Sequence, residues 1–394
     1  MDRFFVLKDG NLVSAAVSGF VAVALLFDGL APLFPSMAIS GGLTPARFQT
    51  IIGCCYAIFA CSQLISPLHI AAFGLYRSCA ISCLYIGCAA TVIACTHNPA
   101  VFIVFFSSMF SANSVGSNAT RVALHQLTDP NRYKRAIGWV LALVQITQIA
   151  IPFLISAFEF AYGWRLALVF LAIPVVTVGC YVVSIDRKHW VRRDVPRACS
   201  AKTDWQALFG MPVFLRPVLR VVAYQIGFSV LVARLPFIVE HQANLHQIVG
   251  GLILSLDNAF VALCLIVGGC LAPSYSSSIL SRIGLPLMVM GVTTIGLSYF
   301  LGIYAAIVGI VLFNGAYGFI GVPGSADALN VPEALRVKAS GLLGFLQPMT
   351  GGLSVAILSM LELPLIDSAL AAALLSTLLL ILTMLFDSRG ASYQ

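Results

Sequence analysis

The sequence predicts an all-α polytopic membrane protein, with twelve transmembrane helices in two six-helix bundles. Three observations carry that expectation. Of 394 residues, 60% are hydrophobic and 9% are charged, where a soluble globular domain carries about 25% charged residues. Apolar runs long enough to span a bilayer, about 20 residues each, recur along the whole chain. The Lys and Arg residues crowd into the breaks between those runs, most densely near the middle of the chain. Such a composition excludes a cytosolic enzyme, a disordered regulator and a secreted disulfide scaffold.

The short charged start, Met1 to Gly10, leads into an apolar stretch from about Asn11 to Pro35. That stretch is too long for the core of a cleaved signal peptide and reads as a retained first helix. The first six spans are expected near 12–36, 46–68, 76–95, 99–126, 134–158 and 163–184. The second six fall near 213–238, 247–271, 283–301, 303–328, 335–361 and 364–386. The breaks at Ser40–Pro45, Thr96–Pro99 and Glu362–Pro364 are short and turn-like. Asp186 to Asp204 is different, because it holds Arg187, Lys188, Arg192, Arg193, Arg197 and Lys202. It divides the chain into an N-terminal bundle (1–185), a basic linker (186–212) and a C-terminal bundle (213–394).

Orientation follows from the basic residues. Eighteen of the 22 fall on one side: Arg3, Lys8, Arg77, Arg132, Lys134, Arg135, the six of the linker, Arg216, Arg220, Arg282, Arg336, Lys338 and Arg389. Only Arg47 and Arg165 clearly lie opposite. The positive-inside rule then places both termini and the linker in the cytoplasm, with the chain in the cell inner (plasma) membrane. The net charge of +7 is thereby assigned to topology, and no nucleic-acid partner is expected. Ten of the eleven cysteines sit in apolar runs as small hydrophobes, and only Cys199 lies in a polar segment, so no metal site or cofactor is expected. The sequence has no P-loop for ATP, no H-E-x-x-H and no G-x-S-x-G elbow, and hence no catalytic centre.

The ordered motifs resemble those of the major facilitator superfamily, whose halves are parallel repeats joined by a cytoplasmic linker. They are closest to its drug:proton antiporters of the bicyclomycin-resistance type. Asp28-Gly29-Leu30-Ala31-Pro32-Leu33-Phe34-Pro35 is similar to the D-x-x-x-P-x-x-P of that branch's first helix. Tyr56 and Ser62-Gln63-Leu64-Ile65-Ser66-Pro67-Leu68 resemble the end of its second helix. Arg121 to Leu127 resembles the R-A-x-x-x-D segment, Gly163-Trp164-Arg165 the G-W-R before helix six, and Leu235-Pro236-Phe237-Ile238 the S-P-F-V of helix seven. Ala339-Ser340-Gly341-Leu342-Leu343-Gly344-Phe345-Leu346-Gln347 is similar to the A-S-A-L-L-G-F-L-Q of helix eleven. The pattern departs at Ser66 to Arg77, where His69, Ile70 and Ala71 stand in place of the branch's charges. Phe106 occupies the slot of its helix-four Arg, and Gln126 the slot of the acid closing that helix.

An ionisable side chain inside the bilayer is costly, so it faces a cavity or a partner. Asp28 lies about seventeen residues into the first span, near mid-membrane at about 1.5 Å per residue. It is a candidate proton-coupling residue, the alternative being a bond to a backbone carbonyl freed by Pro32. Asp257, followed by Asn258, lies near the middle of span eight. It would contact a cationic substrate or take a second proton, unless it pairs with Arg234 or bonds a neighbouring helix. Arg121, Arg234 and Asp327 lie towards span ends and are expected to gate, the alternatives being substrate contact for Arg121, snorkelling to water or binding an anionic group for Arg234, and a loop contact for Asp327. Tyr56, Asn113, Asn118, Gln145, Gln148, Asn314 and Gln347 lie at cavity depth, where polar side chains also serve as ordinary interhelical bonds. Gly315-Ala316-Tyr317-Gly318 and Gly351-Gly352 read as close helix packing.

The expected activity is proton-coupled efflux of small amphipathic compounds or drugs by alternating access, the partners being the substrate, protons and the bilayer, and the chain acting as a monomer. The alternatives are a transporter of a specific nutrient, metabolite or siderophore, and a non-transporting receptor or scaffold on the same fold.

Overall fold

The computed structural model describes residues 10–127, 133–185, 204–243, 245–272 and 274–391. The linker residues Arg187 to Lys202, with Arg3, Lys8, Arg132 and Cys199, lie outside the described residues, as do the side chains of 26–28. Every regular element described is helical. The first half of the chain forms α1 (Gly10–Leu30), α2 (Phe34–Ser40), α3 (Pro45–Phe73), α4 (Leu75–Cys95), α5 (Pro99–Leu127), α6 (Tyr133–Tyr162) and α7 (Trp164–Ile185). After the short α8 (Asp204–Phe209) come α9 (Pro212–Phe237), α10 (Gln247–Leu271), α11 (Ser277–Leu301), α12 (Ile303–Gly315), α13 (Tyr317–Ala328), α14 (Glu333–Met360) and α15 (Leu365–Ala391). Eleven described helices are long and apolar enough to cross a membrane, and Val13–Leu25 within α1 adds a shorter apolar helix. This matches twelve expected spans.

Local chemistry sets the boundaries. Pro45, Pro99 and Pro212 open their helices, where the missing N–H costs nothing. Gly163, at φ +81°, turns the chain between α6 and α7, a backbone state that glycine adopts without strain. Past that turn Arg165 donates to the Ala94 and Thr96 carbonyls at 2.6 and 3.0 Å, satisfying the end of α4.

Span ten runs over Ile303–Ala328, as expected. It breaks at Ala316 into α12 and α13. Glycines at 315 and 318 weaken helical propensity on either side, and Ala316 N turns tightly back to Phe313 O at 3.1 Å. The break diverts the carbonyls of Phe313 and Asn314 from the regular ladder, and Tyr224 takes them up, donating to Asn314 O at 2.9 Å.

The chain divides into two compact units. One comprises Met1–Gly42, Cys61–Cys199 and Gln247–Ser255; the other comprises Leu43–Ala60, Ser200–His246 and Leu256–Gln394. In the first unit α1 packs on α5, α6 and α7, and α4 lies against α5 and α7. In the second unit α9 lies at the centre, against α13, α14 and α15. The amphipathic logic of α15 is inverted relative to a soluble helix. Leu374, Leu378, Leu382 and Leu385 face outward, whereas Ala369, Ala372, Ala373 and Ser376 are buried. Lipid tails are as apolar as leucine, so small residues bring helices together and large ones meet lipid. Ser376 fixes the contact by donating to Ala223 O on α9 at 2.7 Å.

Candidate functional site

Asp257, on α10, is 6% exposed. Its carboxylate accepts from Asn314 Nδ2 at 3.2 Å (Oδ1) and 3.0 Å (Oδ2). No cation pairs with it among the described residues; the alternative pairing with Arg234 does not form. A neutral amide supplies hydrogen bonds to the carboxylate but no countercharge. Asn314 sits at the broken end of α12, and its own Oδ1 has no partner among the described residues. Helix approach at this point is set by backbone rather than side chains. A Cβ on Gly318 would lie 2.3 Å from the carbonyl of Cys264, so α13 touches α10 directly. The expected close packing at 315–318 is thus present.

Aromatic rings border the pair. Tyr224 and Phe228, one turn apart on α9, meet Phe313 and Tyr317: Tyr224 stacks on Phe313 at 5.7 Å, and Phe228 on Tyr317 at 5.2 Å. Beside them runs a polar seam. Gln225 Nε2 donates to Ser229 Oγ at 2.8 Å, and Gln347 Nε2 on α14 donates to Ser325 Oγ on α13 at 3.0 Å. Gly351, one turn beyond Gln347, leaves room for Ser229, whose Oγ would stand 2.2 Å from an added Cβ. An acid, amides, hydroxyls and ring faces on α9, α10, α12, α13 and α14 make a set suited to an organic solute with polar and apolar parts.

The expected site residues divide between the units. The second unit holds Tyr56, Asp257, Asn258, Asn314, Gln347, Arg234 and Asp327; of these the structure brings Asp257 and Asn314 together. Tyr56 and Asn258 are half-buried. Asp327 accepts from Ser277 N at 3.1 Å, capping the start of α11. Arg234 is buried and donates to Gln49 Oε1, on α3, at 2.5 Å; it does not snorkel to water. The first unit holds Asp28, whose side chain is outside the described residues, with Asn113, Gln145, Gln148 and Arg121. Asn113 is buried, its Oδ1 without a partner among the described residues, and Gln145 and Gln148 are half-buried on one face of α6. Arg121 is exposed, its guanidinium 5.9 Å from the Phe20 ring. Asn118 Nδ2 bonds Ser66 Oγ at 2.5 Å, an ordinary interhelical bond.

Tyr224, Gln225, Gln49 and the buried Glu159 are not among the residues expected from the sequence. The signal for Tyr224 was an aromatic pair one turn apart in an otherwise aliphatic run; for Glu159 it was a lone acid among apolar residues. No group of three His, Cys, Asp or Glu residues able to hold a metal occurs among the described residues.

The sequence profile of the Major Facilitator Superfamily matches residues 16–355. The chain belongs to that superfamily. Solved structures share its fold at low identity. The crystal structure of a D-xylose–proton symporter is 13% identical, covers 95% of this chain and 96% of its own, and superposes with a TM-score of 0.73. The nucleoside transporter NupG is 13% identical, with 95% and 98% covered and a TM-score of 0.71. The inward-open xylose transporter XylE from E. coli is 13% identical, with 95% of both chains covered and a TM-score of 0.71. No curated protein matches the sequence. This superfamily member is a multi-pass membrane protein and a secondary transporter, not an enzyme.

Proposed function

We propose that the protein is a proton-coupled exporter of small amphipathic compounds, cationic ones included, working by alternating access as a monomer. The observation that carries this reading is the Asp257 carboxylate, buried with a neutral amide as its hydrogen-bonding partner. An unpaired charge in so apolar a place is costly, so the carboxylate is met by a proton or by a cationic group. The two compete for one site. Uptake of a proton from outside discharges the cation outward, and release of that proton inside frees the carboxylate for the next cation. Asp28, at similar depth in the first span, is the second proton-linked acid of this reading.

Tyr56, Asn113, Gln145, Gln148, Asn258, Asn314 and Gln347 line the path, with Tyr224 and Phe228 as ring faces. Arg121, Arg234 and Asp327 act at the ends. The bundles 1–185 and 213–394 are the moving bodies, joined through 186–212, with the basic face and both termini in the cytoplasm of the inner membrane.

The test uses purified protein in vesicles under an imposed pH gradient, with ethidium as the cationic probe and an enclosed pH dye. Ethidium movement coupled to opposite proton movement is expected for the native chain. Asp257→Asn is expected to abolish the coupling. Unchanged, still proton-linked flux in both Asp257→Asn and Asp28→Asn proteins would sink the proposal.

A second reading, a carrier of one polar metabolite, is favoured by the Gln225–Ser229 and Gln347–Ser325 seam, which suits a solute rich in hydroxyl or amide groups. Counterflow of xylose or uridine without ethidium movement would select it.

A further inference from the structure

Arg234 is 2% exposed, yet both hydrogen-bond partners recorded for its guanidinium are neutral. Nη1 donates to Gln49 Oε1 at 2.5 Å and Nη2 to Ser359 Oγ at 3.4 Å. Gln49 is 0% exposed and Ser359 1% exposed. Ser359 Oγ is held by its own bond to Val355 O at 2.6 Å. Gln49 Nε2 and Arg234 Nε have no partner among the described residues. Three helices therefore meet on one buried cation: α3 through Gln49, α9 through Arg234 and α14 through Ser359. Phe48, next to Gln49, and Phe237, one turn from Arg234, face each other with ring centroids 6.1 Å apart.

Beside this cluster α3 crosses α14 backbone to backbone. One turn along α3 from Gln49 is Gly53, and two turns back along α14 from Ser359 is Gly352. A Cβ on Gly53 would lie 2.6 Å from Gly352 O, and a Cβ on Gly352 would lie 2.6 Å from Gly53 O. Backbones touch here, with the Cβ atoms of Tyr56 and Ala356 bordering the crossing at 2.7 and 2.9 Å from the added Cβ positions, so the two helices approach closely. The guanidinium adds a polar tie between this end of α3 and both α9 and α14.

We propose that Arg234, Gln49 and Ser359 form a reversible latch on the end of the protein remote from the basic loops, and that the neutral amide of Gln49 sets its strength. A carboxylate at 49 would fit the same space and give a fork-to-fork ion pair, the strongest of the charge-assisted bonds. An amide accepts one strong bond, leaves the charge uncompensated, and lets the latch open within each transport cycle. The latch presupposes alternating access but no particular substrate or coupling ion.

The experiment places spin labels at Thr44→Cys and Leu361→Cys, both exposed, in a chain otherwise free of cysteine, and reads their distance distribution in lipid nanodiscs without substrate. Gln49→Glu is expected to concentrate the distribution in its short component and to raise the unfolding temperature. Gln49→Ala is expected to add a longer component, raising its population about tenfold, the scale of losing one charge-assisted bond. Arg234→Lys, one ammonium in place of a two-armed fork, is expected to fall between native and Gln49→Ala. Identical distributions in the native, Gln49→Glu and Gln49→Ala proteins would overturn the latch, as would a longer distance in Gln49→Glu. If ethidium coupling fails while these distances behave as expected, the functional proposal falls and the latch stands.

Discussion

Gly318→Ala adds one methyl group at the point where α13 meets the backbone of α10. The new Cβ would start 2.3 Å from Cys264 C and O, where ordinary contact begins at 3.4 Å. Backbone atoms cannot swing aside, so the helices must part by about 1 Å, an overpacking of the kind that costs about 1–3 kcal/mol. The same shift acts on the Asp257–Asn314 pair, whose bonds at 3.0 and 3.2 Å would open to about 4 Å and cease to be hydrogen bonds. Hydrogen bonds to a charged group contribute about 1.5–3 kcal/mol, so any step that needs the pair should slow by about 10- to 150-fold. For a chain of 394 residues, with about 2 cal/mol/K of unfolding entropy per residue, the packing term lowers the unfolding temperature by about 1–4 °C. The matched control is Gly296→Ala on α11, where an added Cβ meets nothing within 4 Å. It should be neutral or slightly stabilising. Thermal unfolding in detergent and vesicle flux of the two variants, compared side by side, make the assay. If Gly318→Ala unfolds and transports like Gly296→Ala, the backbone crossing does not hold Asn314 against Asp257.

Tyr224→Phe removes the bond to Asn314 O while keeping the ring stack, and should cost about 1 kcal/mol in thermal stability; an unchanged melting curve would count against a structural role for the hydroxyl. Arg165→Ala leaves the Ala94 and Thr96 carbonyls without their donor and should lower stability by about 1–3 kcal/mol, read in the same assay. Asp28→Asn should remove the response of ethidium flux to an imposed pH gradient while leaving the unfolding temperature within about 1–2 °C of native. Ser376→Ala should loosen α15 from α9 by about 1 kcal/mol, visible as faster proteolysis within 365–391.

The architecture was legible because bilayer physics writes long apolar runs and one-sided basic loops. The site was legible only in outline. Asp257 stood out as a charge within span eight, and Asn314 as a polar residue in span ten, yet nothing in their spacing of 57 residues announced that they pair. That depends on the break at Ala316 and on the backbone crossing at Gly318, both products of tertiary approach. Arg234 was visible as a charge near a span end, but its burial was not. Position along a helix gives depth, whereas burial depends on what α3 and α14 place around it. Gln49 escaped notice because a single amide in an apolar run looks the same whether it meets a neighbouring helix turn or a distant cation.

The two compact units have a bearing on how the chain is made. Leu43–Ala60 joins the unit otherwise built from the second half of the sequence, and Gln247–Ser255 joins the one built from the first. Gln49 and Arg234 are 185 residues apart. At about 5–20 residues per second, synthesis delivers the guanidinium roughly 10–40 s after the amide. Through that interval a polar side chain of α3, later fully enclosed, must wait in the translocon or the membrane with a temporary partner. The N-terminal bundle therefore cannot reach its final arrangement before the C-terminal one begins to insert. Splitting the gene at the linker should yield two fragments that are degraded when expressed singly and rescued when expressed together.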